Sequence, residues 1–263
     1  MVRKFALSIV LVAFSSLAIF AADPWIGKEV YWKNGAKAKL GDSEIDIQLV
    51  PLPATVRDVD GDWLWLGRAW VHQDDVFLPE QALDYWADQI RKKPSAAQNW
   101  NIRGGVWNDR GKFENAIKDL TEAIRLNPEF AAAYANRAYS WSQKGKFDNA
   151  LKDYTKAMKL DPSDADSYAA AAWLRATCPD RAHRDGGRAV TNATTACILT
   201  EWKDSSNIDT LAAAYAELGE FRDAIKWQEK AIDLASDDSD RAEMRLRLDL
   251  YKKNTPYRDT PSE

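Results

Sequence analysis

The sequence predicts a mainly α chain, a solenoid of stacked helical hairpins, with a small all-β segment ahead of it. Three observations predict this. Residues 111–128 read GKFENAIKDLTEAIRLNP and residues 145–162 read GKFDNALKDYTKAMKLDP, identical at 11 of 18 positions at an offset of 34. Large aromatics around them recur at helical spacing. Trp100 and Trp107 are seven apart, as are Tyr134 and Trp141, so each pair shares one helix face. Residues 25–78 instead cluster or alternate β-formers, in runs such as EIDIQLV and DWLWLG.

From the N-terminus, residues 1–22 predict an export signal. Arg3 and Lys4 precede an apolar run from Phe5 to Phe20, and Ala21 and Ala22 place small residues before Asp23. The run is shorter than the roughly 20 residues of a membrane span. Cleavage is therefore expected, with an uncleaved N-terminal anchor as the open alternative. The chain is expected to be periplasmic or extracellular.

Residues 23–78 form the β segment. Asp60-Gly61 is a hairpin turn signal. Trp63 and Trp65 share one face of their strand, and Leu64 and Leu66 the other. The stretch DVDGD at 58–62 has the look of a calcium loop but lacks the Gly at position six and the Glu at position twelve. The run VRDVDGDWLWLGRAWVHQDDVFL resembles the second half of a bacterial-type Src-homology-3-like small β-barrel. The first half, WIGKEVYWKNGAKAKLGDSE, departs from that pattern.

The helical part follows in register. Residues 79–96 fit a linking helix, half a repeat, because Ala82, Trp86 and Pro94 lie 34 before Ala116, Leu120 and Pro128. Two full units, 97–130 and 131–164, carry matched positions. The first has Trp100, Gly104, Trp107, Gly111, Phe113, Ala116, Leu120, Ala123 and Pro128. The second has Tyr134, Ala138, Trp141, Gly145, Phe147, Ala150, Tyr154, Ala157 and Pro162. Small residues let two helices approach, Gly closes the tight turn, and Pro stops the second helix. A third unit, 165–204, is irregular, with about five extra residues in TCPDRAHRDGG between its helices. A fourth, 205–238, keeps Leu211, Ala212, Tyr215, Gly219, Phe221, Ala224 and Ala231. Residues 239–253 predict a solvating end helix, with Ser239 as its N-cap. Residues 254–263 are expected to be a flexible tail.

This pattern resembles the tetratricopeptide (TPR) repeat, two antiparallel helices per unit in a right-handed superhelix. The signal, the small barrel and the segments ATCPD and DTLAAAYAELGEFRDAIKWQEKAIDLA together resemble secreted bacterial TPR proteins. That resemblance implies interaction, not enzymatic activity.

The chemistry the sequence offers is sparse. Its two His, His72 and His183, have no Cys or His at ligand spacing, so no metal is expected. No nucleophile motif or phosphate-binding Gly loop is present, so no catalytic residue and no cofactor are expected. The formal net charge of -4 gives no basic field for nucleic acid. Cys178 should end one helix and Cys197 lie near the far end of its antiparallel neighbour, about 18 Å away. Bridged Cα atoms need less than about 7 Å, so two buried, unpaired thiols are expected.

Binding surfaces remain. In a curved TPR array the first helix of each unit lines the concave face. Asn101, Asn108, Asn136, Tyr139, Gln143 and Trp173 are the candidate groove residues, with Tyr139 and Trp173 as aromatic anchors, packing of Trp173 against the neighbouring unit being the open alternative. Some TPRs clamp a C-terminal carboxylate with Lys, Arg and Asn. Only Asn136 matches that set, and the would-be basic places hold Asn101, Asp166 and Ala170, so no such ligand is expected. The groove is read as polar and near neutral. In the barrel, Tyr31, Trp32, Trp63, Trp65 and Trp70 are candidates for an aromatic groove, at most two of them exposed. The expected function is a non-enzymatic exported scaffold holding a protein or peptide partner of the cell envelope. The alternative is a cell-wall-binding module, in which the barrel takes wall polymer and the repeats act as spacer. The sequence sets no oligomeric state.

Overall fold

A computed structural model describes residues 24–33, 36–41, 43–45 and 54–259. The predicted signal at 1–22 lies outside the described residues. The chain divides into two units, Met1–Pro79 and Glu80–Glu263.

The first unit holds short strands: β1 (Glu29–Trp32), β2 (Ala38–Leu40), β3 (Ser43–Ile45), β4 (Ala54–Thr55), β5 (Asp58–Asp60), β6 (Trp63–Trp65), β7 (Trp70–His72) and β8 (Val76–Phe77), with a 3-10 turn at Gln73–Asp75. They form two antiparallel sheets, in the orders β4-β1-β8 and β3-β2-β7-β6-β5. Asp60 pairs with Trp63, which leaves Gly61 and Asp62 as a two-residue turn. Gly61 has φ +57°, a conformation that glycine adopts without a Cβ clash. The alternation read from the sequence holds in β6. Leu64 is fully buried with Val30, Ala38 and Val71 in the core, while Trp63 and Trp65 are half-buried on the other face.

The second unit is helical: α1 (Pro79–Lys92), α2 (Ala97–Asp109), α3 (Phe113–Leu126), α4 (Ala131–Gln143), α5 (Phe147–Leu160), α6 (Ala165–Thr177), α7 (Gly186–Leu199), α8 (Ser205–Leu218), α9 (Phe221–Leu234) and α10 (Asp238–Lys252). From α2 onward the helices pack as consecutive hairpins, α2 with α3 through α8 with α9, and α10 covers α9. The predicted helical-hairpin solenoid is present.

The repeated residues explain the repeated geometry. Gly111 and Gly145 have φ +66° and +67° and close the turns after α2 and α4. At Gly104 an added Cβ would lie 2.6 Å from Leu120 Cγ, so the helices touch there because no side chain intervenes. Ala116, Ala123, Ala150 and Ala157 are fully buried between helices. Each of the first two hairpins also carries one buried ion pair. Arg103 reaches Asp119 at 2.6 and 2.8 Å, and Arg137 reaches Asp153 at 2.7 and 2.9 Å. Both are bidentate, the strong form of carboxylate recognition. The guanidinium of each lies over an aromatic one turn away, Trp100 or Tyr134.

The third hairpin departs from the pattern. Residues 178–185 separate α6 from α7, where three residues suffice in the earlier hairpins. Arg184 holds this loop in place. It donates to the carbonyls of Cys178 and Pro179 at 2.9 and 3.1 Å and to Glu217 on α8 at 3.1 Å. Asp185 caps α7 by accepting from the Arg188 N–H at 2.9 Å. Cys178 and Cys197 are free and buried in separate clusters, Cys178 with Leu174 and Tyr154, Cys197 with Ile208 and Leu211. Burial raises both thiols, Cys197 to about 11.

Two expectations at the C-terminus are corrected. The N-cap of α10 is Asp237, whose carboxylate accepts from the Ser239 N–H at 2.7 Å, because the helix begins one residue before Ser239. Residues 254–259 are docked, not frayed. The Tyr257 ring packs at a tilt against Trp173 with centroids 5.7 Å apart, Arg258 donates to Ala176 O at 3.2 Å, and the Asp259 N–H donates to Thr177 O at 2.9 Å. An aromatic, a guanidinium and a carboxylate in succession give this segment enough partners on α6 and α8 to offset its ordering entropy.

Candidate functional site

The groove is built mainly from the first helices of the second, third and fourth hairpins. Tyr139 and Gln143 come from α4, Asp166 and Trp173 from α6, and Ser206 and Thr210 from α8. They border a concave space of about 710 Å³. Leu174 and Ala170 give it apolar lining, and Asp259 of the tail also borders it. The helix period places these residues on one face, and stacking the hairpins aligns the faces.

Three of the six sequence-predicted groove residues meet here: Tyr139, Gln143 and Trp173. Tyr139 is 44 % exposed, with its ring edge against Phe113, and is the available aromatic. Trp173 is already engaged. Its Nε1 donates to Asp259 at 2.8 Å, and the Arg247 guanidinium lies 5.5 Å over its ring.

The three asparagines do not line this space. Asn136 Nδ2 donates to Asn101 Oδ1 at 3.1 Å, Asn108 Nδ2 donates to Asn136 O at 3.1 Å, and Ser140 Oγ donates to Asn108 Oδ1 at 2.6 Å. Asn101 and Asn108 are buried. This ladder ties α2 to α4. Buried amides find partners where they can, and here the neighbouring hairpin supplies them.

The groove is acidic, not near neutral. Its charged lining consists of Asp166, Asp204 and Asp259, with no Lys, Arg or His among the lining residues. Burial holds the Asp166 carboxyl above its ordinary value, and the nearby Asp164 and Asp204 charges add to the rise. Asp204 also caps α8 by accepting from the Ser206 and Asn207 N–H groups, and Asp259 accepts from Trp173, but these donors are uncharged, so the lining keeps its negative charge and stabilises a cation. Extending the register of α6 into α8 finds Ser206 and Thr210 from sequence. Asp259 could not be found that way, since no repeat position predicts a returning tail.

The aromatics of the first unit divide. Tyr31 and Trp32 are buried, at 3 % and 7 % exposure, and offer no surface. They sit on β1, which is paired on both edges by β4 and β8. Trp63, Trp65 and Trp70 are half-buried. Trp65 faces Trp70 across the β6–β7 pairing with centroids 5.4 Å apart, and Trp63 faces His72 at 5.4 Å with the Lys39 ammonium 3.9 Å over its ring.

Among the described residues no group of three or more His, Cys, Asp or Glu is arranged to hold a metal ion. Among them too, no helix is long and apolar enough to cross a membrane.

The comparisons agree with the geometry. Residues 131–164 match a tetratricopeptide repeat model, residues 106–140 a TPR repeat model, and residues 208–235 a further tetratricopeptide repeat model. The chain carries TPR repeats. No curated protein matches it in sequence. Among solved structures it is similar to MamA, at 16% identity over 63% of this chain and 85% of that one, TM-score 0.51. It is also similar to YrrB, described as a TPR protein with an unusual peptide-binding site, at 16% identity over 64% and 84%, TM-score 0.51. A tetratricopeptide repeat protein from Parabacteroides merdae ATCC 43184 matches at 17% identity over 67% and 68%, TM-score 0.55. At these identities the likeness shows the fold.

Proposed function

We propose that this chain is a non-enzymatic scaffold that holds an extended, basic segment of a protein partner in the groove of α4, α6 and α8. One observation carries the reading: the groove already receives extended chain. At its end, Asp259 makes a backbone bond to Thr177 O and a side-chain bond to Trp173, the contacts a bound peptide would make. The acidic lining favours Lys or Arg in the partner. Tyr139 supplies an exposed aromatic face for its side chains. YrrB, a fold neighbour, is described as having a peptide-binding site. The basic and apolar start of the chain supports export, so the partner is sought in the cell envelope. Peptide display against the full chain tests the reading. Enrichment of Lys- or Arg-bearing peptides supports it, and no enrichment over a scrambled pool refutes it.

A second reading rests on the half-buried Trp63, Trp65 and Trp70. The antiparallel strands support a Src-homology-3-like barrel, and its aromatic row suits the sugar faces of wall polymer. Pull-down on purified cell wall tests it, with a Trp65→Ala/Trp70→Ala variant as control. Retention by the variant equal to wild type would refute it.

A further inference from the structure

A second concavity, of about 820 Å³, lies outside the groove, between α5, α6 and the loop that precedes α7. Its lining holds seven Lys or Arg side chains against three Asp. The three carboxylates are already committed. Asp153 is taken by Arg137, Asp148 by His183 at 3.1 Å, and Asp185 by Arg188 at 3.5 Å while it caps α7. Arg184 is taken by Glu217. Lys152, Lys156, Lys159 and Arg175 remain, with no carboxylate in ion-pair distance among the described residues.

Two of these facts cost stability. Arg175 is nine-tenths buried, and its hydrogen bond goes to Ala171 O at 3.3 Å, an uncharged partner. A buried guanidinium without a counter-charge is unfavourable. Burial, and next the Arg188 charge, press its pKa downward, and the Asp185 charge offsets only part of this. Lys152, Lys156 and Lys159 are spaced four and three along α5, so they share one face and repel. The repeat shows what an ordinary solution looks like. The matching places in the first hairpin hold Lys118, Glu122 and Arg125, and Glu122 pairs with Arg125 at 2.6 and 2.8 Å. The second hairpin replaces that Glu with Lys156 and Arg125 with Lys159. The long loop that breaks the 34-residue pattern then walls the resulting cations in.

We propose that this pocket is an oxyanion site that takes a phosphate-bearing ligand. Four cations around one opening, none with a carboxylate in ion-pair distance and Lys156 with only the Tyr134 ring at 6.0 Å, call for a compact group of more than one negative charge. That favours phosphate over a single carboxylate. The side chains in named roles are Arg175 at the buried end and Lys152, Lys156 and Lys159 along the α5 wall.

The test uses the full chain and inorganic pyrophosphate at low ionic strength, by titration calorimetry. Saturable binding is expected, weaker by about tenfold or more in Lys156→Glu, which restores the acid of the first repeat, and in Arg175→Met. Lys252→Glu, an equal charge change on α10, is expected to leave it intact. A second arm replaces pyrophosphate with phosphatidylcholine vesicles doped with phosphatidylglycerol. Co-sedimentation lost in Lys156→Glu assigns the phosphate to a lipid headgroup, and binding confined to pyrophosphate assigns a soluble phosphate. No saturable binding in either arm, or equal binding by Lys156→Glu and wild type, overturns the proposal. Folding of the variants is read independently. Without ligand, both are expected to melt above wild type, because each relieves an unbalanced charge. A lower Tm in both would show the cations to be balanced within the fold and would overturn the site.

Discussion

The indole of Trp173 donates to the carboxylate of Asp259 at 2.8 Å, joining the middle of α6 to the last described residue of the chain. The sequence marked Trp173 as a ligand anchor and residues 254–263 as a free tail. The two features are one contact. Asp259→Ala should remove a bond to a charged group, which contributes about 1.5 kcal/mol. Trypsin should then cleave after Arg258 faster than in wild type. An unchanged cleavage rate would show the tail held by Tyr257 and Arg258 alone.

Two glycines offer a graded test of packing. At Gly104 an added Cβ meets the end of a side chain, Leu120, at 2.6 Å. At Gly186 it meets backbone, Leu218 N at 2.8 Å and Leu218 Cα at 3.0 Å. A side chain can rotate away and a helix backbone cannot. Gly104→Ala should cost about 1 to 3 kcal/mol, the usual overpacking range. Gly186→Ala should cost more, since α7 and α8 must separate. Denaturant unfolding of both variants checks the order.

The repeated ion pair makes a different prediction. Arg137→Ala leaves the Asp153 carboxylate buried and unpaired, which should cost about 3 kcal/mol. Arg137→Met with Asp153→Leu should recover most of that loss, because apolar replacements leave nothing to desolvate. A double-mutant cycle by urea unfolding measures both. Additive losses would contradict a direct pair.

The Asp166 carboxyl, raised above its ordinary value of 3.8, predicts opposite pH trends for folding and binding. The folded state holds this proton more tightly than the unfolded chain. Stability contributed at this site therefore falls as pH rises from 3.8 through the raised value, and is level above it. A cationic peptide prefers the ionised form, so its affinity should rise over the same interval. Asp164, Asp204 and Asp259 are the charges nearby on this face. Asp166→Asn should flatten both trends, measured by urea unfolding and by peptide titration across that interval.

The helices were legible because local spacing and a 34-residue copy both report them. Gly111, Gly145 and the buried alanines are each dictated by a turn or a close approach inside one hairpin. The groove was half legible. Tyr139, Gln143 and Trp173 follow from register alone. The asparagines misled, because a polar residue on the concave side of one helix can bond the next helix, as Asn136 does with Asn101. Asp259 was not legible, since its position depends on a chain reversal after α10 that no periodicity encodes. Tyr31 and Trp32 misled for a similar reason. Tyr31 stacks on Phe77 and Trp32 joins the core of Val30, Leu64 and Val76, and contacts between strands distant in sequence are not written in either strand.

The central claim, a groove that binds a basic extended segment, is tested most directly by titrating one display-selected peptide into wild type and into an Asp166→Asn/Asp204→Asn variant. Tyr139→Ala serves as a second, uncharged probe of the same face. Affinity is predicted to fall by about tenfold or more in the double variant, with a weaker salt dependence, and to fall in Tyr139→Ala without that change. Equal affinity for all three proteins would contradict the account.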